Sequence, residues 1–333
     1  MKKNKILITF LVIILFGLTG CTKQLKGTDG KVVQNKETGQ ALTSNVLCAP
    51  ANKDILKLYD ETRESFISKY EKDLKDGEIG KKEYDKKMDS LLDINKVVAC
   101  KDFAITTGGY DGIWTTIFVK PLAWVLLEIG EFLGNYGLSI IFVTLLIRLI
   151  MFPITQKTAR QSENLKIAKP KLDKLEKKYA GKSDQESTLK KSQEMMAIYK
   201  SHNINPMAGC LYGFIQIPLF FAFYEAMYRL PIMFEGNLLG FSLATAPFKG
   251  ITSGNWLYAI LPILVFAATY FSFKLNSGAM LGKDQEKQMK IMMNVMMVMV
   301  FFMSFNMPTG IIFYWVTNNT FTIVQNLIVK RSK

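Results

Sequence analysis

Histidine is almost missing from this chain, with His202 the only one in 333 residues. A single imidazole cannot build a multi-His metal site and argues against a His-based catalytic triad. Cysteine is scarce as well. Cys21, Cys48, Cys100 and Cys210 are scattered, with no CxxC spacing that would signal zinc or an iron–sulfur cluster. No period of the kind found in solenoids or repeat-built transporters is present. The expectation is therefore no catalytic residue, no metal and no cofactor. Acidic residues are outnumbered, 28 Asp+Glu against 42 Lys+Arg, for a net charge of +14. The excess is not spread evenly, because residues 22–112 carry 16 of each sign. It sits in the first five residues and in the short segments between apolar runs, which is membrane-topology charge and requires no nucleic acid.

What the chain has in abundance is apolar length. Hydrophobic residues make up 49%, gathered into runs long enough to span a bilayer, which rules out a single water-soluble globule. Lys2, Lys3 and Lys5 precede an apolar stretch from Ile6 to Leu18, then Thr19-Gly20-Cys21. A basic start, a short apolar core and small residues before a cut site describe an export signal at 1–20. Leu18-Thr19-Gly20-Cys21 resembles a bacterial lipobox, in which the cysteine thiol takes a diacylglycerol; the alternative is an uncleaved anchor helix. On either reading the segment after Cys21 lies outside the cytoplasm.

That segment, 21–112, reads as disordered from Thr22 to about Ala51 and helical beyond. Ile55, Leu58, Tyr59, Thr62 and Phe66 recur at helical spacing, as do Tyr84, Met88, Leu91 and Leu92, with Asp76-Gly77 as the turn between them. A small helical hairpin is expected. Cys48 and Cys100 bracket it, and an oxidising compartment would permit a disulfide there; two free thiols are the other reading.

Six apolar stretches follow Gly112. The first, Ile113 to Leu133, is broken by Lys120-Pro121 and carries Glu128 and Glu131. Five cleaner ones run Tyr136–Ile154, Gly209–Tyr228, Trp256–Phe273, Ile291–Met307 and Gly310–Val329, each near the ~20 residues a span needs. Five spans put 156–208, 274–290 and the tail in the cytoplasm, with nineteen Lys/Arg, against Lys249 and the edge residue Arg229 in the outer loop. That is a positive-inside pattern. A sixth span would invert it, so 113–135 is expected to lie in the membrane plane as an amphipathic helix. The resulting architecture is all-α: a five-span core over 136–333, with a cytoplasmic helical hairpin at 156–205. Its two stripes are Leu165, Ala168, Leu172, Leu175 and Tyr179, then Leu189, Met195, Met196 and Tyr199.

Arg148 lies inside the first span, where a charge faces a polar cavity, a partner or, by snorkelling, the headgroups. Glu225, the acidic candidate for a partner, sits at a different depth and can pair with Arg229 one turn on. Thr144 shares the Arg148 face. Gln216, Ser272, Asn318, Asn319 and Gln325 add polar groups on other spans, better fitting a water-filled groove open to the cytoplasm than scattered packing. The fourth span is rich in methionine, and Met292, Met296, Met299 and Met303 are candidates for a hydrophobic slide, since flexible thioethers adapt to varied partners. Ordinary lipid-facing packing is the plainer account.

From about Ile113 onward, the order of elements resembles the YidC/Oxa/Alb family of membrane-protein insertases. The elements are the in-plane helix, the Arg148 span with Phe152-Pro153, a basic hairpin with Lys169-Pro170 and Lys178-Tyr179, Asn205-Pro206-Met207-Ala208-Gly209-Cys210, Gln216-Ile217-Pro218, the Met-rich span and Pro308-Thr309-Gly310 before Tyr314-Trp315. The lipobox and short external region are similar to the Gram-positive type. The resemblance implies a groove charge at Arg148, a groove-lining Gln216 and a substrate-contacting Trp315. It implies nascent membrane proteins as substrates in the bilayer of a bacterial plasma membrane, with the Sec translocon, ribosome and signal recognition machinery as candidate partners. Tyr212 departs from the proline many relatives carry, and Ser272 and Phe273 stand where some have a glutamine. A small-solute transporter and a lipoprotein tether are the rival readings.

Overall fold

The structure, a computed structural model, describes residues 22–182, 184–205, 208–276 and 283–331. The signal segment 1–20, the Cys21 acceptor and Pro206-Met207 lie outside the described residues. Helices follow in the order α1 (Lys53–Lys75), α2 (Lys81–Asp89), α3 (Lys120–Leu133), α4 (Tyr136–Lys178), α5 (Gln185–Ser201), α6 (Ala208–Tyr228), α7 (Pro247–Thr252), α8 (Ile260–Asn276), α9 (Lys283–Ser304) and α10 (Thr309–Arg331). The chain is mostly helical, as expected, with one short hairpin among the described residues. Strands β1 (Asn237–Leu238) and β2 (Phe241–Ser242) pair antiparallel between α6 and α7. Their two-residue turn, Leu239-Gly240, has φ of 54° and 84°, the double left-handed turn that matches strand twist. Asn-Gly or Asp-Gly would have announced it; a leucine hides it.

By contacts the chain divides into two compact units: Met1–Val143 with Pro218–Trp256 and Pro308–Ile311, and Thr144–Ile217 with Leu257–Met307 and Ile312–Lys333. In the first, the expectation of disorder before Ala51 is corrected. Backbone bridges join Gln24 to Thr43, Lys26 to Val32 and Gln34 to Ala41, and Leu25 and Leu42 are buried with Ile55, Tyr59 and Ile94. The segment has too few apolar residues for its own core, yet α1 offers an apolar stripe to cover. Asn52 caps α1, accepting from the Asp54 and Ile55 amides. The Tyr59 hydroxyl donates to the Thr43 carbonyl at 2.8 Å.

Cys48 and Cys100 form a disulfide across a sequence separation of 52, beside the Ala49–Ala99 bridge. On the chain-entropy model such a loop is worth about 4 kcal/mol. The Cys48→Ser/Cys100→Ser variant is therefore expected to lose residues 22–111 to limited proteolysis at temperatures where the oxidised protein resists. Equal protease half-lives would show that the bridge adds no stability.

Residues 22–111 are not an appendage to this unit. The Leu47 amide donates to the Arg229 carbonyl at 2.7 Å, the Thr43 hydroxyl to the Tyr228 carbonyl at 3.0 Å, and the Ala51 amide to Glu235 Oε1 at 2.9 Å. Arg229, 4% exposed, ties three segments together. Nη1 reaches Glu225 at 3.0 Å, Nη2 reaches Asp111 at 2.7 Å, and Nε donates to the Asn45 carbonyl at 2.7 Å. Trp114 Nε1 donates to the other Glu225 oxygen at 2.9 Å. Burial pushes the Glu235 carboxyl above its ordinary value, partly offset by the amides it accepts from. A raised folded-state value means stability fully present below the unfolded value of 4.5 and lost as pH rises through the folded one. Glu235→Gln, which keeps the acceptor oxygen, is expected to raise the melting temperature at pH 7 and leave it unchanged at pH 4; a lower value at pH 7 would contradict this.

The break at Lys120-Pro121 is the start of α3, with proline in its first turn. Lys120 is buried, and its ammonium donates to the Thr107 carbonyl at 2.7 Å and to that of Gly109. Gly134, with φ 63°, ends the helix in the left-handed conformation.

The expected first span and the first arm of the basic hairpin are one helix. α4 runs 43 residues through Pro153 and Pro170, about 64 Å at 1.5 Å per residue, twice the ~30 Å hydrocarbon core. Its far end packs Ala168 and Leu172 against Tyr199 and Ile204, flanked by Leu165, Met195 and Ile198. The second expected stripe is corrected in part: Leu189 and Met196 are exposed, and Ile198 and Ile204 take their place. Among the described residues, Tyr136–Lys178 and Trp256–Leu275 are long and apolar enough to cross a membrane, and Lys290–Ser304 is a shorter apolar helix. α8 and α9 pack side by side, with Phe266 and Phe301 edge to face at 5.7 Å.

Candidate functional site

On α4, Thr144, Arg148 and Thr155 fall at i, i+4 and i+11, one face of a 3.6-residue helix. On α10, Asn318, Thr322 and Gln325 fall at i, i+4 and i+7, again on one face. These two faces meet within the second unit. Arg148 Nε donates to Asn318 Oδ1 at 2.7 Å, and Gln325 Nε2 donates to the Thr155 hydroxyl at 2.6 Å. Both pairs have a sequence separation of 170, so the two helices run parallel at constant register for seven residues. Between them, Phe152 and Phe321 meet edge to face at 6.4 Å.

α8 also joins this cluster. Trp315 Nε1 on α10 donates to the Thr269 hydroxyl at 3.0 Å, and Ser272 follows one turn on, also buried. Within α10 the polar side chains also close on their own backbone, Asn319 Nδ2 to the Trp315 carbonyl and the Thr322 hydroxyl to that of Asn318.

Thr144 and Arg148 are each 2% exposed, so the guanidinium is enclosed by protein. Asn318 fixes its plane through Nε, since the five donors of arginine form a rigid fork. Burying such a group costs several kcal/mol unless it has polar partners, and Asn318 on α10 supplies one. The Glu225 carboxylate is engaged by Arg229 and Trp114, as its i,i+4 spacing from Arg229 foretells.

Of the other candidates, Gln216 is half-buried on α6 and takes part in none of the hydrogen bonds just described. On α9, Met292 and Met296 are half-buried, whereas Met299 and Met303 are 41% and 48% exposed. Their 4-3-4 spacing places them on one stripe, next to a second exposed stripe of Ile291, Val295, Val298 and Phe302. Thr155, Thr269 and Thr322 were not singled out in the sequence. Their signal is spacing: Thr155 lies two turns beyond Arg148, and Thr322 one turn beyond Asn318. Among the described residues, no group of three or more His, Cys, Asp or Glu could hold a metal ion.

Residues 128–333 match the family model described as 60Kd inner membrane protein. The chain is 36% identical over 230 residues to "Membrane protein insertase YidC" of Oceanobacillus iheyensis, covering 68% of this chain and 86% of that one. It is also 36% identical over 218 residues to "Membrane protein insertase MisCA" of Bacillus subtilis, covering 65% and 79%. A solved structure titled "Active YidC insertase crystal structure with the first transmembrane domain resolved" overlays with a TM-score of 0.47 at 21% identity, over 80% of this chain and about half of that one, 52%. By the extent of the family match and its identity to these relatives, the chain belongs to the 60Kd inner membrane protein family, with the YidC insertases among its members.

Proposed function

We propose that this chain is a membrane protein insertase of the bacterial plasma membrane, which takes hydrophilic tails of nascent membrane proteins past a buried Arg148. One observation carries the reading. A guanidinium sits buried within the apolar part of a long helix, its Nε donating to Asn318. Such a group attracts acidic or polar segments and lowers the cost of desolvating them inside the membrane. Thr144, Ser272, Asn318 and Gln216 line the route, Trp315 contacts the passing segment, and its apolar part slides along Met292, Met296, Met299 and Met303.

The same reading makes α4, α6, α8, α9 and α10 the five spans, with 113–135 lying in the outer surface plane and 156–205 as the cytoplasmic first contact. Cys21 carries the lipid outside, and the C-terminus is inside. Cooperation with the Sec translocon, ribosome and signal recognition machinery follows from the resemblance alone. The test is photocrosslinking to a stalled two-span nascent chain from probes at Trp315 and Thr144, with exposed Val324 as control. Crosslinks from the first two and none from the control are expected. Equal crosslinking from all three, or none, would remove the route.

A further inference from the structure

The external part of the first unit has a cleft that the insertase core does not account for. It encloses about 440 Å³, within the ~300–1,000 Å³ of ordinary ligand sites. Lys23, Lys26 and Arg63 line it together with Leu25, Phe66 and Leu92, and no carboxylate is among its lining residues. This stands out because residues 22–112 as a whole are electrically neutral. Arg63 is itself incompletely satisfied. Its Nη2 lies 3.5 Å from Asp93, but its Nε is buried and has no hydrogen-bond partner. Buried donors are nearly always paired, and a carboxylate is the acceptor an arginine fork fits best.

We propose that this cleft docks acidic peptide segments on the outer side of the membrane. The carboxylate would sit against the partly exposed Arg63 guanidinium, and an adjacent apolar side chain on Leu25, Phe66 and Leu92. Lys23 and Lys26 are exposed at the lip and draw the segment in. The source of the segment is the translocated tail of a newly inserted protein, so the proposal rests on the insertase reading. The charge preference attributed to Arg148 selects the same acidic tails, which gives the two sites a common ligand. An apolar floor with a cationic rim fits a peptide better than an isolated headgroup, since a headgroup would leave the floor uncovered.

The test uses full-length protein in detergent and a fluorescent ten-residue peptide carrying three Asp or Glu and one Phe. Fluorescence anisotropy is expected to show saturable binding that weakens with salt. Arg63→Gln should weaken it about tenfold or more, as for a buried interfacial arginine. Lys23→Gln/Lys26→Gln changes only exposed side chains and guards against misfolding of the Arg63 variant; it should weaken binding less and flatten the salt dependence. Equal binding by wild type and both variants would overturn the site. So would loss, on Arg63→Gln, of binding to phosphatidylglycerol micelles rather than to peptide. Reconstituted insertion on the same preparations separates the two readings. Protein that inserts but does not bind the peptide loses the cleft alone; protein that binds it but inserts nothing loses the tail as its source.

Discussion

Arg148→Met is expected to cut insertion of a short acidic-tailed substrate into proteoliposomes by about tenfold or more, while leaving the protein folded. A tenfold drop corresponds to ~1.4 kcal/mol, less than the ~1.5–3 kcal/mol net worth of one hydrogen bond to a charged group. The helix tolerates methionine, because the change removes a buried charge rather than creating one, although Asn318 then loses its guanidinium partner. Arg148→Lys keeps the charge but loses the planar fork that Nε and Asn318 orient, and should fall between the two. Tail charge is the decisive control. With wild-type protein, a −3 tail should insert better than a +3 tail of equal length, and Arg148→Met should narrow that difference. Equal insertion of both tails by the wild type would mean the arginine is structural.

The second large effect lies in the first unit. Arg229→Met removes the cation shared by Glu225, Asp111 and the Asn45 carbonyl, leaving the Glu225 carboxylate, 3% exposed, without its ion-pair partner. Removing one member of a buried pair costs roughly 3–5 kcal/mol, a large share of a typical domain's ~5–15 kcal/mol. Collapse of expression, or rapid proteolysis of residues 22–111, is the expected result. Arg229→Met/Glu225→Gln should recover much of the loss, since the stranded charge goes too. If the double variant is as unstable as the single one, the contacts to Asp111 and Asn45 outweigh the ion pair.

Hydropathy and charge bias made the apolar helices, the buried arginine and the basic hairpin legible, because each rests on local pattern. Long-range pairing was not legible. Residues 22–51 looked disordered by composition, yet Leu25 and Leu42 find their core on α1 and near Ile94, a partner no window on the segment itself contains. The β-turn at Leu239-Gly240 lacks the usual asparagine. At the site, Arg148 and Asn318 are conspicuous as polar residues in apolar helices. Thr155 and Thr269 are not, since threonine is common helix-packing glue, and only the fold shows them accepting from Gln325 and Trp315. Continuity of α4 was obscured by Pro153 and Pro170, which usually end or kink a helix.

The shared register of α4 and α10 works like a two-toothed key. If α10 slid one turn in one direction, Arg148 would face Tyr314 and Thr155 would face Phe321. One turn the other way, Arg148 would face Thr322, which can still accept, but Thr155 would face Val329, which cannot. Only the observed alignment engages both polar pairs. Slippage along the common axis is therefore penalised at whole-turn steps, whereas swinging apart opens the teeth together. The pair resists a pull along that axis and yields to a sideways push.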